Sequence, residues 1–237
     1  MTTKLDLIKE REPSYTPGLH VTEELRKVTM VPLIGPFAVG KSVCMAKILE
    51  QEPDFGRVQS FTTRSRRNGE AEDEYRFLPD GEVTLDWIAE EIKRRDLVQY
   101  AVHPTTGNIY GSDLRDYAKP YSMLDALYSA VEGLRRLPFK DMKEITMVAE
   151  PNEWVARSKE RLGQISTNEA NKRLRESILS LEWSLEQGDS ISWVCNRTNQ
   201  LPETCQEVVE IVRGSIEKKS ANRVVGEALL ERLRILL

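Results

Sequence analysis

Short apolar runs of strand length alternate with helical patterns along most of the chain. The first run, VTMVPLI at 28–34, is followed by KSVCMAKILEQ, which is predicted to form a helix. Between later runs, Leu85, Ile88 and Ile92 share one helical face. Buried strands separated by helices are typical of a parallel sheet covered on both sides, so the pattern predicts an α/β fold. The later apolar runs are DLVQYAV, YSMLDAL, EITMVAE and SISWVCN.

The two ends of the chain and one charged inner segment depart from this alternation. Residues 1–27 are polar, contain two prolines, and are predicted to form a loosely attached extension. The segment 152–187 is charged and helical, with Ser166 and Glu169 of STNE spaced as a capping box. Residues 215–237 are predicted to form an appended helix. Its apolar stripe consists of Val225, Leu229, Leu233 and Leu236.

Composition narrows the class of protein. A chain of 237 residues with a net charge of −4 lacks the basic surface expected of a general nucleic-acid binder. No apolar run approaches the roughly 20 residues of a membrane span, and the first residues lack the apolar core of a secretion signal. Cys44, Cys195 and Cys205 are scattered, which favours reduced thiols over a disulfide framework or a zinc site. We therefore expect a cytoplasmic protein without nucleic-acid or membrane partners.

A phosphate-binding pattern follows the first predicted strand. GPFAVGKS at 35–42 has a glycine, four residues and then Gly-Lys-Ser. In such a loop the backbone N–H groups face an anion, Lys41 reaches the β- and γ-phosphates, and the Ser42 hydroxyl coordinates Mg²⁺. A chance glycine-rich turn is disfavoured because all the defined positions and both flanks agree. The residues predicted to bind ATP here are Gly35, Ala38, Val39, Gly40, Lys41 and Ser42.

An arginine cluster follows in FTTRSRRNGEAEDEYRF at 61–77, which is unexpected in a net-acidic chain. Arginine forks suit phosphate oxygens, although a solvated loop would have the same composition. GPFAVGKS, SFTTRSRRNGEAEDEYRF and GNIYGS, in this order and at nearly this spacing, resemble the guanylate kinase family from residue 28 to about 212. The resemblance implies a P-loop α/β kinase core with an inserted monophosphate-binding region and a helical lid. It also implies phosphoryl transfer from ATP to GMP or dGMP with Mg²⁺.

Domain limits and acceptor residues follow from this resemblance. It implies a guanylate kinase-like domain at 28–214, with the monophosphate region at about 57–113 and the lid at about 152–175. Cations offset the repulsion between two anions that must meet, and phenolic hydroxyls add directional donors. Alternatively, Tyr75 and Tyr110 are aromatic residues of the core whose hydroxyls bond within the protein. The residues matched to the acceptor's phosphate are Arg64, Arg67, Tyr75 and Tyr110, with Ser60 and Ser112 as flanking hydroxyls.

The lid and the adenine site are matched in the same way. ARSKERLG and NKRLRES resemble the lid arginines of the family, which assigns catalytic roles to Arg157, Arg161 and Arg173. Arg157 and Arg161 are four residues apart and so project from one helical face, where cations can stabilise the transferring phosphoryl group. A merely solvated helix face is the alternative. Asn196 of VCNRT corresponds to a position beside the adenine.

The chain departs from the family at the positions that contact the base. Gln99 occupies the place of a glutamate, and MLDAL has Asp125 but Leu127 where a second carboxylate is expected. Guanine presents two N–H donors on one edge, whereas Gln99 offers one acceptor oxygen and Leu127 none. Leaving a buried donor unsatisfied costs about 1–3 kcal/mol, so weaker guanine selectivity is expected. Asp125 either positions Mg²⁺ through water or is the surviving half of the base-binding pair.

Three functions fit the sequence to different degrees. The favoured one is an ATP-dependent nucleoside monophosphate kinase acting on GMP or dGMP. A related P-loop kinase for another nucleotide or a sugar phosphate would explain Gln99 and Leu127. The third is a non-catalytic guanylate kinase-like domain that binds protein partners, but such domains typically lose the P-loop lysine or the lid arginines, which this chain keeps.

Overall fold

The computed structural model describes residues 3–66, 75–103, 106–163, 165–216 and 220–237, except the side chains of residues 160 and 161. The helices are α1 (Lys4–Arg11), α2 (Leu19–Leu25), α3 (Lys41–Gln51), α4 (Glu82–Arg94), α5 (Tyr128–Arg135), α6 (Pro151–Gly163), α7 (Thr167–Glu186), α8 (Leu201–Arg213) and α9 (Arg223–Leu236). The strands are β1 (Thr29–Ile34), β2 (Phe55–Arg57), β3 (Phe61–Thr62), β4 (Arg76–Phe77), β5 (Leu97–Val102), β6 (Ile109–Asp113), β7 (Tyr121–Asp125), β8 (Asp141–Met142), β9 (Ile145–Val148) and β10 (Ser192–Cys195).

The central sheet is parallel, in the order β10-β9-β1-β7-β2, with β8 beside β1. Thr29 of β1 pairs with Tyr121 on one side, and Leu33 pairs with Ile145 on the other. All six residues of β1 are buried because strands flank it and helices cover the sheet. The predicted α/β fold with a parallel sheet is confirmed.

A second sheet has the order β4-β3-β6-β5 and lies within the range expected for the inserted region. The run DLVQYAV forms β5 here, where Tyr100 pairs with Gly111 of β6 in antiparallel register. Its expected place in the parallel sheet is therefore wrong. Residues 103–108 are too few for the crossover that two parallel strands require, so β5 and β6 can pair only as antiparallel neighbours.

The N-terminal segment packs against the second sheet and the nearby helices. Ile8 of α1 is 2% exposed, while Val21 and Leu25 of α2 are fully buried. The hydroxyl of Tyr15 donates to the carbonyl oxygen of Leu97 at 2.7 Å. The expectation of a loosely attached extension is wrong, because its apolar residues are buried in two separate clusters. Ile8 packs with residues of the second sheet and α4, whereas Val21 and Leu25 pack with Met30 of β1.

The C-terminal helix α9 is shorter than the predicted 215–237 and packs against α7. Val225, Leu229 and Leu233 are buried, as the apolar stripe predicts. Leu236 is 41% exposed, because the helix extends past the core there. Among the helices that the structure describes, none combines the length and apolar character that crossing a membrane requires.

Candidate active site

The phosphate-binding loop connects the carboxyl end of β1 to the start of α3, as predicted. Gly35, Ala38 and Gly40 have positive φ angles of 128°, 62° and 98°. A Cβ atom on Gly35 would collide with the carbonyl oxygen of Met147, and one on Gly40 would collide with the Asn196 amide. The two glycines therefore provide both the left-handed backbone and the close approach that the curled loop needs.

Lys41, Ser42 and Asp125 form a contact cluster at the end of this loop. Lys41 Nζ donates to the carbonyl oxygens of Gly35 at 2.8 Å and Pro36 at 3.0 Å, and it lies 3.6 Å from Asp125 Oδ1. Ser42 Oγ donates to Asp125 Oδ2 at 3.2 Å. The three meet because β1 and β7 are adjacent parallel strands, whose carboxyl ends lie at one sheet edge. Asp125, matched from the sequence to the acceptor site, thus lies beside the phosphate-binding loop.

A cavity of about 150 Å³ adjoins this cluster, and we call it the P-loop cavity. Arg173 of α7 lines it together with Lys41 and Asp125, so the structure brings one predicted lid arginine to the phosphate-binding loop. Leu127 also lines this cavity. The remaining lining residues are Gly35, Phe37, Ala126, Tyr128, Glu176, Ser177 and Ser180.

The start of α7 positions Arg173. Ser166 caps this helix by accepting from the Glu169 N–H at 3.3 Å, as predicted. The carboxylate of Glu169 accepts instead from Arg173 Nη2 at 2.9 Å, rather than completing the reciprocal bond of a capping box. The helix terminus thereby holds the arginine through a helical i, i+4 ion pair.

The other two lid arginines belong to α6. Arg157 donates to the Asn196 carbonyl oxygen at 3.0 Å and to the Glu153 carboxylate at 3.0 Å. Asn196 is buried, and its amide donates to the Val39 carbonyl oxygen at 2.8 Å. Arg157 is thus bonded to a residue that supports the phosphate-binding loop. The Arg161 side chain lies outside the described residues.

A larger cavity of about 690 Å³ lies beside β5, and we call it the β5 cavity. Three of the predicted acceptor residues line it: Ser60, Gln99 and Tyr110. The N-terminal segment and α5 form the other walls, which the sequence did not predict. Its remaining lining residues are Glu12, Pro13, Tyr15, Thr16, Pro17, Val98, Tyr100, Ala101, Gly111, Ser129, Ala130, Gly133, Arg136 and Leu137.

Arg64 and two tyrosines form one contact chain leading to this cavity. The Arg64 guanidinium lies 5.2 Å from the centre of the Tyr75 ring, and this ring meets the Tyr110 ring edge-on at 5.8 Å. Arg64 Nη1 also donates to the carbonyl oxygen of Ser65 at 3.1 Å. The structure thus groups three of the predicted phosphate-binding side chains. Arg67, predicted to join them, lies outside the described residues.

Ser112 is separated from this group. It is fully buried, and its hydroxyl lies 3.2 Å from the Tyr117 hydroxyl in the interior. Burial raises the pKa of Tyr117 far above its ordinary value. The structure therefore places Ser112 in a core hydrogen bond, although the resemblance assigned its hydroxyl to the acceptor's phosphate.

A buried ion network that the sequence analysis did not identify supports β6. Arg76 Nη2 donates to Asp113 at 2.8 Å and to Asp116 at 3.1 Å. Burial raises the pKa of Asp116 to about 6. Burial would also raise the pKa of Asp113, but hydrogen bonds from Arg115 and Arg76 outweigh it and hold that pKa below its ordinary value. The spacing in SDLRD was the one available signal, because Asp113 and Asp116 form a capping box.

Glu12 and Arg136 are the other residues that the sequence analysis missed. Both line the β5 cavity, one from the N-terminal segment and one from the end of α5. Glu12 gave no signal, because it stands in a polar stretch outside the family resemblance. Arg136 follows another arginine at a helix end, where basic residues are common.

The sequence of this chain is similar to those of several known proteins. No protein-family model matches the sequence. A guanylate kinase of Trichodesmium erythraeum (strain IMS101) is 30% identical over 166 residues, which is 66% of this chain and 83% of that protein. A guanylate kinase of Lactococcus lactis subsp. lactis is 36% identical and one of Synechocystis sp. 35% identical, each over 86 residues. Those shorter matches span 36% of this chain and 38% and 42% of the respective proteins.

A solved structure is also similar. The crystal structure of guanylate kinase from Anaplasma phagocytophilum has a TM-score of 0.43 and 18% sequence identity, and the match covers 81% of this chain and 87% of that one. The family assignment depends on the sequence match to the Trichodesmium protein, which extends over 83% of its length. On that match, the chain belongs to the guanylate kinase family.

Proposed function

We propose that this chain is an ATP-dependent nucleoside monophosphate kinase whose acceptor is GMP or dGMP. The observation that carries the proposal is the cluster of Lys41, Ser42 and Asp125, with Arg173 lining the same cavity. Relatives named guanylate kinase support the same activity.

Lys41 and the loop backbone bind the donor's phosphates. The helix α3 begins at Lys41, so its N-terminal N–H groups and positive dipole end face the loop. The Lys41 side chain is 11% exposed, and its Nζ donates to two loop carbonyl oxygens. Phosphate oxygens of ATP replace these carbonyls as acceptors, because an ammonium binds a negatively charged phosphate oxygen more strongly than a neutral carbonyl oxygen.

Ser42 and Asp125 suit a magnesium ion. Mg²⁺ prefers oxygen ligands and usually takes one or two from the protein, with phosphates and waters completing the octahedron. The Ser42 hydroxyl and the Asp125 carboxylate supply such oxygens beside the loop. The ion, when bound, neutralises charge on the β- and γ-phosphates.

The acceptor's phosphate is held beside the β5 cavity by Ser60 and Tyr110, which line it, and by Arg64 and Tyr75, which contact Tyr110 in sequence. Two anions repel each other, so the guanidinium and the phenolic donors must offset that repulsion before transfer. During transfer, charge spreads over three equatorial oxygens, where Lys41 and Arg173 stabilise it. Arg157 and Arg161 join them when the lid, at about 152–175, closes over ATP.

The test is an ADP-release assay across GMP, dGMP, AMP, UMP and ribose phosphates, with Lys41→Ala beside the parent. We expect turnover with GMP and dGMP, and a loss of about 100-fold or more in the variant, since the lysine meets charge on the transferring oxygens. Lys47→Ala, on the same helix, is the matched control and should retain parental activity.

Two results would contradict this function. A Lys41→Ala variant that keeps activity within about threefold of the parent would remove the kinase assignment. A parent that turns over a sugar phosphate but no nucleotide would favour the related P-loop kinase, and an inactive parent that binds a protein partner would favour a scaffold.

A further inference from the structure

The β5 cavity contains one acidic and one basic side chain among the described residues that line it. Glu12 supplies the carboxylate and Arg136 the guanidinium. Gln99 lines the same cavity with a neutral amide, and Leu127 lines the P-loop cavity instead. The carboxylate that the family carries at position 99 is therefore missing, but the cavity still holds one from a different part of the chain.

The structure fixes Glu12 against the strand that carries Gln99. Glu12 opens a 3-10 turn, and its Oε2 accepts from the backbone N–H of Val102 at 3.0 Å. Beside it, the hydroxyl of Tyr100 donates to the Ile8 carbonyl oxygen at 3.0 Å. β5 is the edge strand of its sheet, so these bonds occupy groups that would otherwise face solvent. One oxygen of Glu12 holds the segment, and among the described residues the other oxygen has no hydrogen-bond partner, so it can accept further hydrogen bonds.

Guanine has the complementary pattern of donors and acceptors. Its N1–H and N2–H₂ groups are adjacent donors, whereas O6 and N7 are acceptors. A carboxylate accepts from the donor edge, and a guanidinium donates to O6 and N7. In the described part of the chain, no carboxylate forms an ion pair with Arg136, in contrast to Arg135, which pairs with Glu132 and Glu144.

We propose, on the basis of the kinase function above, that Glu12 reads the guanine N1–H and N2–H₂ donors in place of the family's carboxylate. Arg136 faces the acceptor edge of the same base. The N-terminal segment is then part of the acceptor site and determines its specificity. Gln99 at the family position does not by itself weaken guanine selectivity, because the acceptor comes from Glu12.

The test compares GMP with inosine monophosphate, which lacks only the 2-amino group. We expect the parent to favour GMP in kcat/KM, and Glu12→Gln to raise the KM for GMP and to lower the GMP-to-IMP ratio by about tenfold or more. The KM for ATP should change by less than about twofold. The glutamine oxygen can still accept from Val102, so the segment stays in place, whereas the amide nitrogen opposes the guanine donors.

Two control variants separate base recognition from support of the fold. Glu10→Gln removes an exposed acid of the same segment and should leave the ratio unchanged. Ile8→Val removes one buried methyl group from α1, at a residue that does not line the β5 cavity, and so lowers stability without changing the contacts of Glu12. This variant should lower the melting temperature but leave the GMP-to-IMP ratio of kcat/KM nearly unchanged. The ratio is measured on one enzyme preparation, so any inactive fraction cancels from it.

The outcomes are distinguishable from those of the proposed function. A parent that phosphorylates GMP, together with a Glu12→Gln variant of unchanged GMP KM and unchanged ratio, would overturn this inference alone. A fall in the ratio that is equal in Ile8→Val and Glu12→Gln would also overturn it, because Glu12 would then act through the fold. A parent inactive on every nucleoside monophosphate would overturn the proposed function and this inference with it.

Discussion

At the scale of single residues, hydrogen-bond partners distinguish side chains of the same type. Arg173 lines the P-loop cavity, whereas Arg157 is bonded to Asn196 and Glu153. Arg64 instead lies over the Tyr75 ring. Since each guanidinium carries the same charge, position alone decides which anion it can meet.

Replacing Arg64 with alanine tests its proposed role. We expect a higher KM for GMP and a lower kcat, because both positioning and charge compensation are lost, with a fall in kcat/KM of about 100-fold. The KM for ATP should change much less. Initial-rate kinetics with each substrate varied in turn will measure this.

Arg94→Ala is the matched control for Arg64→Ala, since Arg94 is exposed at the end of α4 and away from both cavities. It should keep the parental constants. If Arg64→Ala weakens ATP and GMP equally, the arginine does not serve the acceptor's phosphate.

At the scale of elements, helix α9 is fixed to the sheet by a close approach that only glycine allows. A Cβ atom on Gly226 would collide with the ring of Trp193, which is 1% exposed in β10. The buried indole is rigid and packed on all sides, so it cannot yield as a flexible side chain would. The register of α9 against the core therefore depends on this glycine.

Gly226→Ala should destabilise the fold by about 1–3 kcal/mol, because overpacking outweighs the ~1 kcal/mol that alanine gains in helix propensity. Urea unfolding measures the free energy. Glu231→Ala, at an exposed position of the same helix, should change stability by less than about 0.5 kcal/mol. A Gly226→Ala variant as stable as the parent would show that the indole and α9 can move apart at little cost.

At the scale of the whole molecule, the ion network at the end of β6 makes folding stability depend on pH. Asp116 has a pKa of about 6 in the fold against an ordinary value of 3.8, since burial disfavours its charged form. The stabilisation of the fold by protonated Asp116 is fully present at pH values below its ordinary pKa, and it is lost as pH rises through about 6. Asp113 makes a contribution to stability with the opposite pH dependence. Its pKa is lowered in the fold, so the charged Asp113 stabilises the folded protein at pH values above its ordinary pKa. This stabilisation is lost as pH falls through the lowered pKa.

Asp116→Asn isolates the first of these contributions. The free energy of unfolding of the parent, minus that of the variant, should decrease by about 1–3 kcal/mol between pH 4 and pH 7. Urea titrations at several pH values measure the difference, in which most other acids cancel. A difference that stays constant or increases with pH would contradict the raised pKa of Asp116.

Much of the fold and the phosphate-binding loop of the candidate active site were predictable from the sequence. The strands β1, β7, β9 and β10 and the helix α3 follow from apolar runs and their spacing. The pairing of β5 was not predictable from its apolar letters, because Gln99 and Ala101 belong to a half-exposed strand whose partner is fixed by a short connection. The buried position of Ser112 was also not predictable, since its bond to Tyr117 depends on packing.

The sequence by itself determined the phosphate-binding loop, because GPFAVGKS is contiguous and its glycines, lysine and serine act through local backbone geometry. Only the tertiary structure decided which side chains complete the two cavities. Asp125 joins Lys41 because β7 lies beside β1, and Glu12 reaches β5 across 90 positions of chain. Such contacts depend on strand order and on the burial of distant apolar residues, and no short stretch of sequence encodes either.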